Sequence, residues 1–90
     1  MIIKNIEYSN RFVKDLKDLP QAVKILLVEK ENIFRNNPLH SSLRLHELHG
    51  RLSGLWSISI SGTYRIIFER EVNGDIFFIS IGRHDIYKNL

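Results

Sequence analysis

The sequence predicts an α+β domain: an N-terminal strand, an antiparallel helical hairpin packed on one face of an antiparallel sheet, and a short C-terminal segment. Three observations carry this. From Leu45 to Tyr87 there are three β-rich runs separated by two glycine-bearing turns, Ser61-Gly62-Thr63 and Asn73-Gly74. Asn-Gly between such runs is the strongest short-range hairpin signal. Ahead of them, Phe12, Leu16 and Leu19, then Val23, Leu26, Leu27, Ile33 and Phe34, recur at helical spacing. Finally, 90 residues with 43% apolar and 26% charged side chains suit a single core without staples, so residues 1–90 are expected to form one domain.

In chain order, residues 2–8 read as a first strand, and Ser9 stands where an N-cap belongs. A short amphipathic helix follows. Pro20 ends it and suits the first position of a second helix over residues 20–36. Asn36-Asn37-Pro38 stops that helix, because a residue preceding proline avoids the helical region. From His40 to Gly54 the pattern is least regular. Leu43 and Leu45 alternate with Arg44 and His46 as in a short edge strand, and Gly50 and Gly54 bracket a loop.

The three strands are expected at about residues 55–61, 64–71 and 75–82. A two-residue Asn73-Gly74 loop pairs Phe68 with Ile79, Glu69 with Phe78, Ile66 with Ile81 and Arg65 with Gly82. Ile66, Phe68, Phe77, Ile79 and Ile81 then share one face, because side chains alternate along a strand. In the first hairpin a two-residue loop would mix the faces. A three-residue loop, Ser61-Gly62-Thr63, pairs Ile60 with Tyr64, Ile58 with Ile66 and Trp56 with Phe68, with Gly62 supplying a positive φ. The opposite face then carries Ser57, Ser59, Arg65, Ile67 and Ser80. It forms a small polar surface with one arginine at its centre, open at one end to Arg83 and His84.

Composition narrows the function. The absence of cysteine excludes a disulfide framework or thiolate metal site and fits a reducing cytoplasm. No apolar run is long enough to span a bilayer, and the start lacks a signal-peptide layout. The net charge of +3 favours an anionic partner, nucleic acid or acidic protein. His46 and His49 would meet on one helical turn, but no third ligand at a suitable spacing completes a zinc set, so no metal or other cofactor is expected. There is no phosphate loop and no pair of carboxylates placed for hydrolysis.

What remains is a basic cluster. Register places Arg65 beside Gly82, with Arg83 and His84 just beyond and Tyr87 one short turn further. His46, His49 and Arg51 enter from the loop leading into the first hairpin. Taken singly, each has an ordinary structural explanation: a solvated strand arginine, a surface histidine, a tyrosine anchor. Together they match what metal-free RNA cleavage needs. A base takes the 2′-hydroxyl proton, a cation offsets charge on the phosphorane, and an acid protonates the leaving 5′-oxygen.

Leu48-His49-Gly50, Ser53-Gly54-Leu55-Trp56-Ser57, Tyr64-Arg65-Ile66-Ile67-Phe68-Glu69 and Ile81-Gly82-Arg83-His84-Asp85-Ile86-Tyr87 together resemble the RelE/ParE superfamily of bacterial toxin–antitoxin toxins. The resemblance covers nearly the whole chain and is nearest the RelE/YafQ-like branch. It implies a RelE-like fold and a ribosome-dependent, metal-independent mRNA endonuclease acting in the A site in the cytoplasm. It also implies a cognate antitoxin, with operator DNA met only through the toxin–antitoxin complex. Residue by residue, it implies catalytic roles for His46, Arg65, His84 and Tyr87. Arg44, His49, Arg51, Arg83 and Lys88 are the candidates for holding the nucleic acid. Where YafQ-like toxins carry a further histidine and an aspartate, this chain has Ser59 and Thr63, so the full YafQ-type set is absent. The alternatives are a ParE-like inhibitor of DNA gyrase and a catalytically silent relative that binds antitoxin and operator DNA.

Overall fold

The computed structural model describes residues 2–90, except for the side chains of His84 and Asn89. Strand β1 (Ile6–Tyr8) is followed by helices α1 (Asn10–Lys17) and α2 (Gln21–Asn36). Short strand β2 (His46–Glu47) lies between two 3₁₀ turns, Ser41–Leu43 and Gly50–Leu52. Strands β3 (Leu55–Ser59), β4 (Tyr64–Arg70) and β5 (Ile76–Arg83) follow, and a last 3₁₀ segment, His84–Asn89, closes the chain. The sheet order is β1-β5-β4-β3-β2. All neighbours are antiparallel except β1, which runs parallel to β5. The expected antiparallel sheet is thus mixed at one edge, and the N-terminal strand is shorter than its apolar residues suggested. Pro20 precedes α2 as its cap, one position earlier than expected.

The first hairpin forms as expected. Ile60 N–H donates to the Tyr64 carbonyl at 2.9 Å, leaving a three-residue loop, and Trp56 pairs with Phe68 and Ile58 with Ile66. Gly62, however, does not adopt a positive φ. The Ser61 hydroxyl closes the turn instead, accepting from the N–H groups of Thr63 and Tyr64, both at 3.1 Å, as serine side chains do when they mimic a backbone turn.

The second hairpin differs. Glu71 N–H donates to the Asp75 carbonyl at 2.9 Å and Gly74 N–H to the Glu71 carbonyl at 3.2 Å, so the loop is Val72-Asn73-Gly74. Gly74 takes φ +96°, the usual solution for a three-residue loop. The pairing is therefore Glu69 with Phe77 and Phe68 with Phe78, and the expected partners Ile79 and Phe78 are each displaced by one. A β-bulge then absorbs Ile79, after which Ile67 pairs with Ser80, Ile66 with Ile81 and Arg65 with Gly82. The extra residue in the loop and the extra residue in the bulge cancel, which is why the register at Arg65 agrees with expectation.

The bulge is held from outside the hairpin. The Ser9 hydroxyl caps α1, accepting from Phe12 N–H at 2.9 Å, and donates to the Ile79 carbonyl at 2.6 Å. One serine thus satisfies a helix end and a carbonyl that the ladder leaves unpaired. The core lies between the helices and one sheet face. Phe12, Val23, Leu27 and Phe34 pack on Ile58, Ile60, Ile66, Phe68, Ile76, Phe78 and Ile81, with Leu16, Leu26, Trp56 and Tyr64 around them. The core therefore takes Ile76 and Phe78 in place of the expected Phe77 and Ile79. Phe34, Phe68 and Phe78 pack mutually as tilted rings at centroid distances of 5.1–6.2 Å.

Candidate functional site

The face opposite the helices is not the open polar surface expected. Ile67 and Ser57 are fully buried. Leu48, Ile67 and Ile86 form a second small core, flanked by Leu52, Leu55, Tyr87 and Leu90. The C-terminal 3₁₀ segment therefore lies on this face as a partial lid. Two local features hold it there. The Arg51 guanidinium donates to the carbonyls of Tyr87, at 2.6 Å, and Leu90. Gly82 has no side chain to obstruct Ile86, which occupies the space a methyl group there would need.

Beside this lid a cleft of about 390 Å³ stays open, lined by His46, Leu48, His49, Leu52, Arg65 and Tyr87. Its side chains come from four places. His46 lies on β2, paired across from Ser57 on β3. His49 directly precedes the Gly50–Leu52 turn. Arg65 lies on β4, across from Ser59. Tyr87 comes from the C-terminal segment. His46 lies on the edge strand β2, paired with β3, and not on a helical turn with His49.

Hydrogen bonds orient the polar groups. Arg65 Nη1 donates to Ser59 Oγ at 3.0 Å across the β3–β4 ladder, aiming the half-buried guanidinium along the face. The Tyr87 hydroxyl meets Ser57 Oγ at 3.2 Å. His46 Nδ1 lies 3.1 Å from the Arg44 carbonyl. A carbonyl only accepts, so this contact places the proton of neutral His46 on Nδ1 and leaves Nε2 as a lone-pair base. Such a site can present a fixed cation and a basic imidazole to a phosphodiester from one side.

The structure therefore brings together His46, His49, Arg65 and Tyr87. Arg44, Arg51, Arg83 and Lys88 are not among the residues lining the cleft. Arg51 is engaged with the C-terminal carbonyls. Arg83 is exposed at the end of β5, where strand alternation puts it on the face opposite Gly82 and Arg65. Lys88 is exposed and does not line the cleft. Arg44 lines a neighbouring recess. For His84, the backbone opens the C-terminal segment, and its side chain lies outside the described residues. Sequence reasoning gave no role to Ser57 and Ser59, which anchor Tyr87 and Arg65, nor to the apolar walls Leu48 and Leu52. The serines were recognisable in principle, since strand alternation alone puts them on the face of Ile67 and Arg65.

Solved structures share this arrangement of strands and helices. YafQ from Escherichia coli superposes with a TM-score of 0.76 at 22% identity, covering 91% of this chain and 94% of that one. The RelBE2 toxin–antitoxin complex from Mycobacterium tuberculosis gives 0.76 at 20% identity, covering 93% and 94%. The RelE–RelB complex from Pyrococcus horikoshii gives 0.71 at 21% identity, covering 94% and 98%. The fold is the RelE-like fold. No protein-family model and no curated protein matches the chain. Across the RelE-like fold of this chain, the cleft sits on the sheet face away from α1 and α2, walled on one side by Tyr87 of the C-terminal segment.

Proposed function

We propose that this chain is the toxin of a type II toxin–antitoxin pair and acts as a ribosome-dependent, metal-independent endoribonuclease on mRNA in the A site. The observation that carries this reading is the cleft that gathers His46, His49, Arg65 and Tyr87 around one opening on a RelE-like fold. Structures of similar fold include toxins bound to antitoxins, among them the E. coli DinJ–YafQ toxin–antitoxin complex. The chemistry follows from the side chains. His46 Nε2 takes the proton of the 2′-hydroxyl, and the freed oxygen attacks the adjacent phosphorus. Arg65 offsets charge on the phosphorane oxygens. The bond to the 5′-oxygen breaks, and His84 gives that oxygen its proton, leaving a 2′,3′-cyclic phosphate and a 5′-hydroxyl. Tyr87, tied to Ser57, positions the strand.

A cognate antitoxin covers this cleft, operator DNA is met only through that complex, and the setting is the cytoplasm, where ribosomes are. Among the described residues no helix is long and apolar enough to cross a membrane. The test is induction of the chain without an antitoxin, followed by primer extension on mRNA and cleavage on programmed ribosomes. The reading expects translation to stop with cuts in ribosome-bound message. Arrested replication with filamentation and intact mRNA would replace it with a ParE-like action on gyrase, and absence of toxicity with a silent binder.

A further inference from the structure

Next to the cleft lies a second recess, of about 200 Å³, lined by Lys30, Ser42, Arg44, Ser59, Ile60, Ser61 and Gly62. It is smaller than the roughly 300–1,000 Å³ typical of small-molecule pockets. Its chemistry is one-sided: two cations and three hydroxyls line it, and no carboxylate does. Among the described residues neither Lys30 nor Arg44 forms an ion pair.

The Ser42 hydroxyl meets His40 Nδ1 at 2.8 Å, and the other two hydroxyls are set as donors. Ser61 Oγ already accepts two backbone N–H groups, from Thr63 and Tyr64, which uses both of its lone pairs and leaves its proton to give. Ser59 Oγ accepts from Arg65 and is only 6% exposed, so its proton too must find an acceptor nearby. Arg44 is the one non-glycine residue with positive φ among those described, at φ 48° and ψ 47°, a conformation arginine rarely takes. In that conformation its carbonyl meets the His46 ring while its side chain lines the recess.

We infer that this recess binds a phosphate group of the RNA strand, the neighbour of the phosphate held at Arg65, through Lys30, Arg44 and the hydroxyls of Ser59 and Ser61. The inference rests on the proposed action on RNA. Ser59 links the two, lining the recess and accepting a hydrogen bond from Arg65 of the cleft. Two anion sites joined through one hydrogen bond suit consecutive phosphates of one strand, and holding two of them fixes which bond lies over His46. The recess would thus set the register of cleavage.

The experiment is an amide chemical-shift titration of the full chain with two probes. One is inorganic phosphate, and the other a 2′-O-methyl RNA pentanucleotide, which cannot be cleaved at the blocked sugars. Parent, Lys30→Gln, Arg44→Gln, Ser61→Ala and Arg65→Gln proteins are compared, with spectra of the free proteins confirming the fold. The expected result is that the pentanucleotide shifts the amides of Ser42, Arg44, Ser59 and Ser61 together with those around Arg65. Lys30→Gln or Arg44→Gln should weaken binding several-fold and lower the dependence of log K on log salt by about 0.7 for each phosphate no longer neutralised. Inorganic phosphate should shift the same recess amides more weakly.

Shifts confined to the Arg65 cleft, unaltered by Lys30→Gln and Arg44→Gln, overturn the recess and leave the nuclease reading standing. Recess shifts with either probe in a chain that never cleaves mRNA on ribosomes keep the anion site and remove the nuclease reading. No recess shift with saturating amounts of either probe overturns the inference.

Discussion

Gly82 and Ile86 lie so close that a methyl group on Gly82 could not be placed without moving Ile86. This contact lets the C-terminal segment fold back onto the sheet, because Ile86 is one of three buried residues in the second core. Tyr87 follows it in the chain, so the wall of the cleft depends on a missing side chain one strand away.

Gly82→Ala is therefore expected to destabilise the chain by about 1–3 kcal/mol through overpacking, measured by urea unfolding. Hydrogen exchange should quicken in residues 84–89 more than in β3 and β4. An unchanged midpoint with unchanged exchange would show that the segment accommodates the methyl group and that Gly82 does not hold it in place.

In ribosome cleavage assays, Arg65→Ala is expected to lower the rate by about 10²–10³-fold, the usual loss for a charge-stabilising donor. His46→Ala should lower it by about 10²–10⁴-fold, the range for a positioned base. Ser59→Ala should cost less than Arg65→Ala, since it frees the guanidinium without removing it. If Arg65→Ala and His46→Ala both cut at the parental rate, the cleft is not the catalytic site.

An antitoxin that masks this cleft should do so with acidic side chains, given the Arg65 guanidinium that lines it. Arg65→Ala is expected to weaken the complex by about 2 kcal/mol or more, because a half-buried charge loses its partner. Arg83→Ala, exposed and on the other face, should cost less than about 1 kcal/mol. Calorimetry with both variants and Arg51→Ala checks this. Affinity unchanged in all three would place the antitoxin elsewhere.

Away from the cleft, Tyr8 donates to Glu31 Oε1 at 2.6 Å. Burial, then the hydrogen bond and charge of Glu31, raise its pKa above the ordinary 10.0. A raised pKa means the folded state favours the neutral phenol. That stability is complete below pH 10.0 and is lost as pH climbs through the folded value. Tyr8→Phe should cost about 0.5 kcal/mol at neutral pH, the low end for a hydrogen bond that is partly exposed. The gap between parent and Tyr8→Phe in denaturation midpoints should shrink as the pH rises above that value. A constant gap across the alkaline range would show that Tyr8 ionises alike in both states.

By itself, the sequence determined the elements that depend on local chemistry. Ser9 as an N-cap, Pro20 between the helices, the helix stop at Asn37-Pro38 and the turn at Gly74 all follow from which backbone conformations those residues favour. Alternation of apolar side chains determined the face shared by Ile58, Ile66 and Phe68, and with it the opposite orientation of Arg65. The tertiary structure decided whatever required a partner distant in the chain. The bulge at Ile79 needs the hydroxyl of Ser9, about seventy residues earlier, to donate to its carbonyl. Without that partner a straight ladder is the simpler reading, and Ile79 is as apolar as the Phe78 that displaces it. His46 reaches the cleft because β2 pairs with β3, although two extended residues carry no periodic signal. The polar face closes because Ile86 fits over Gly82 and Arg51 bonds the last carbonyls. These contacts arise only once the C-terminal segment has folded back, since nothing in the spacing of residues 82–90 says which surface they will cover.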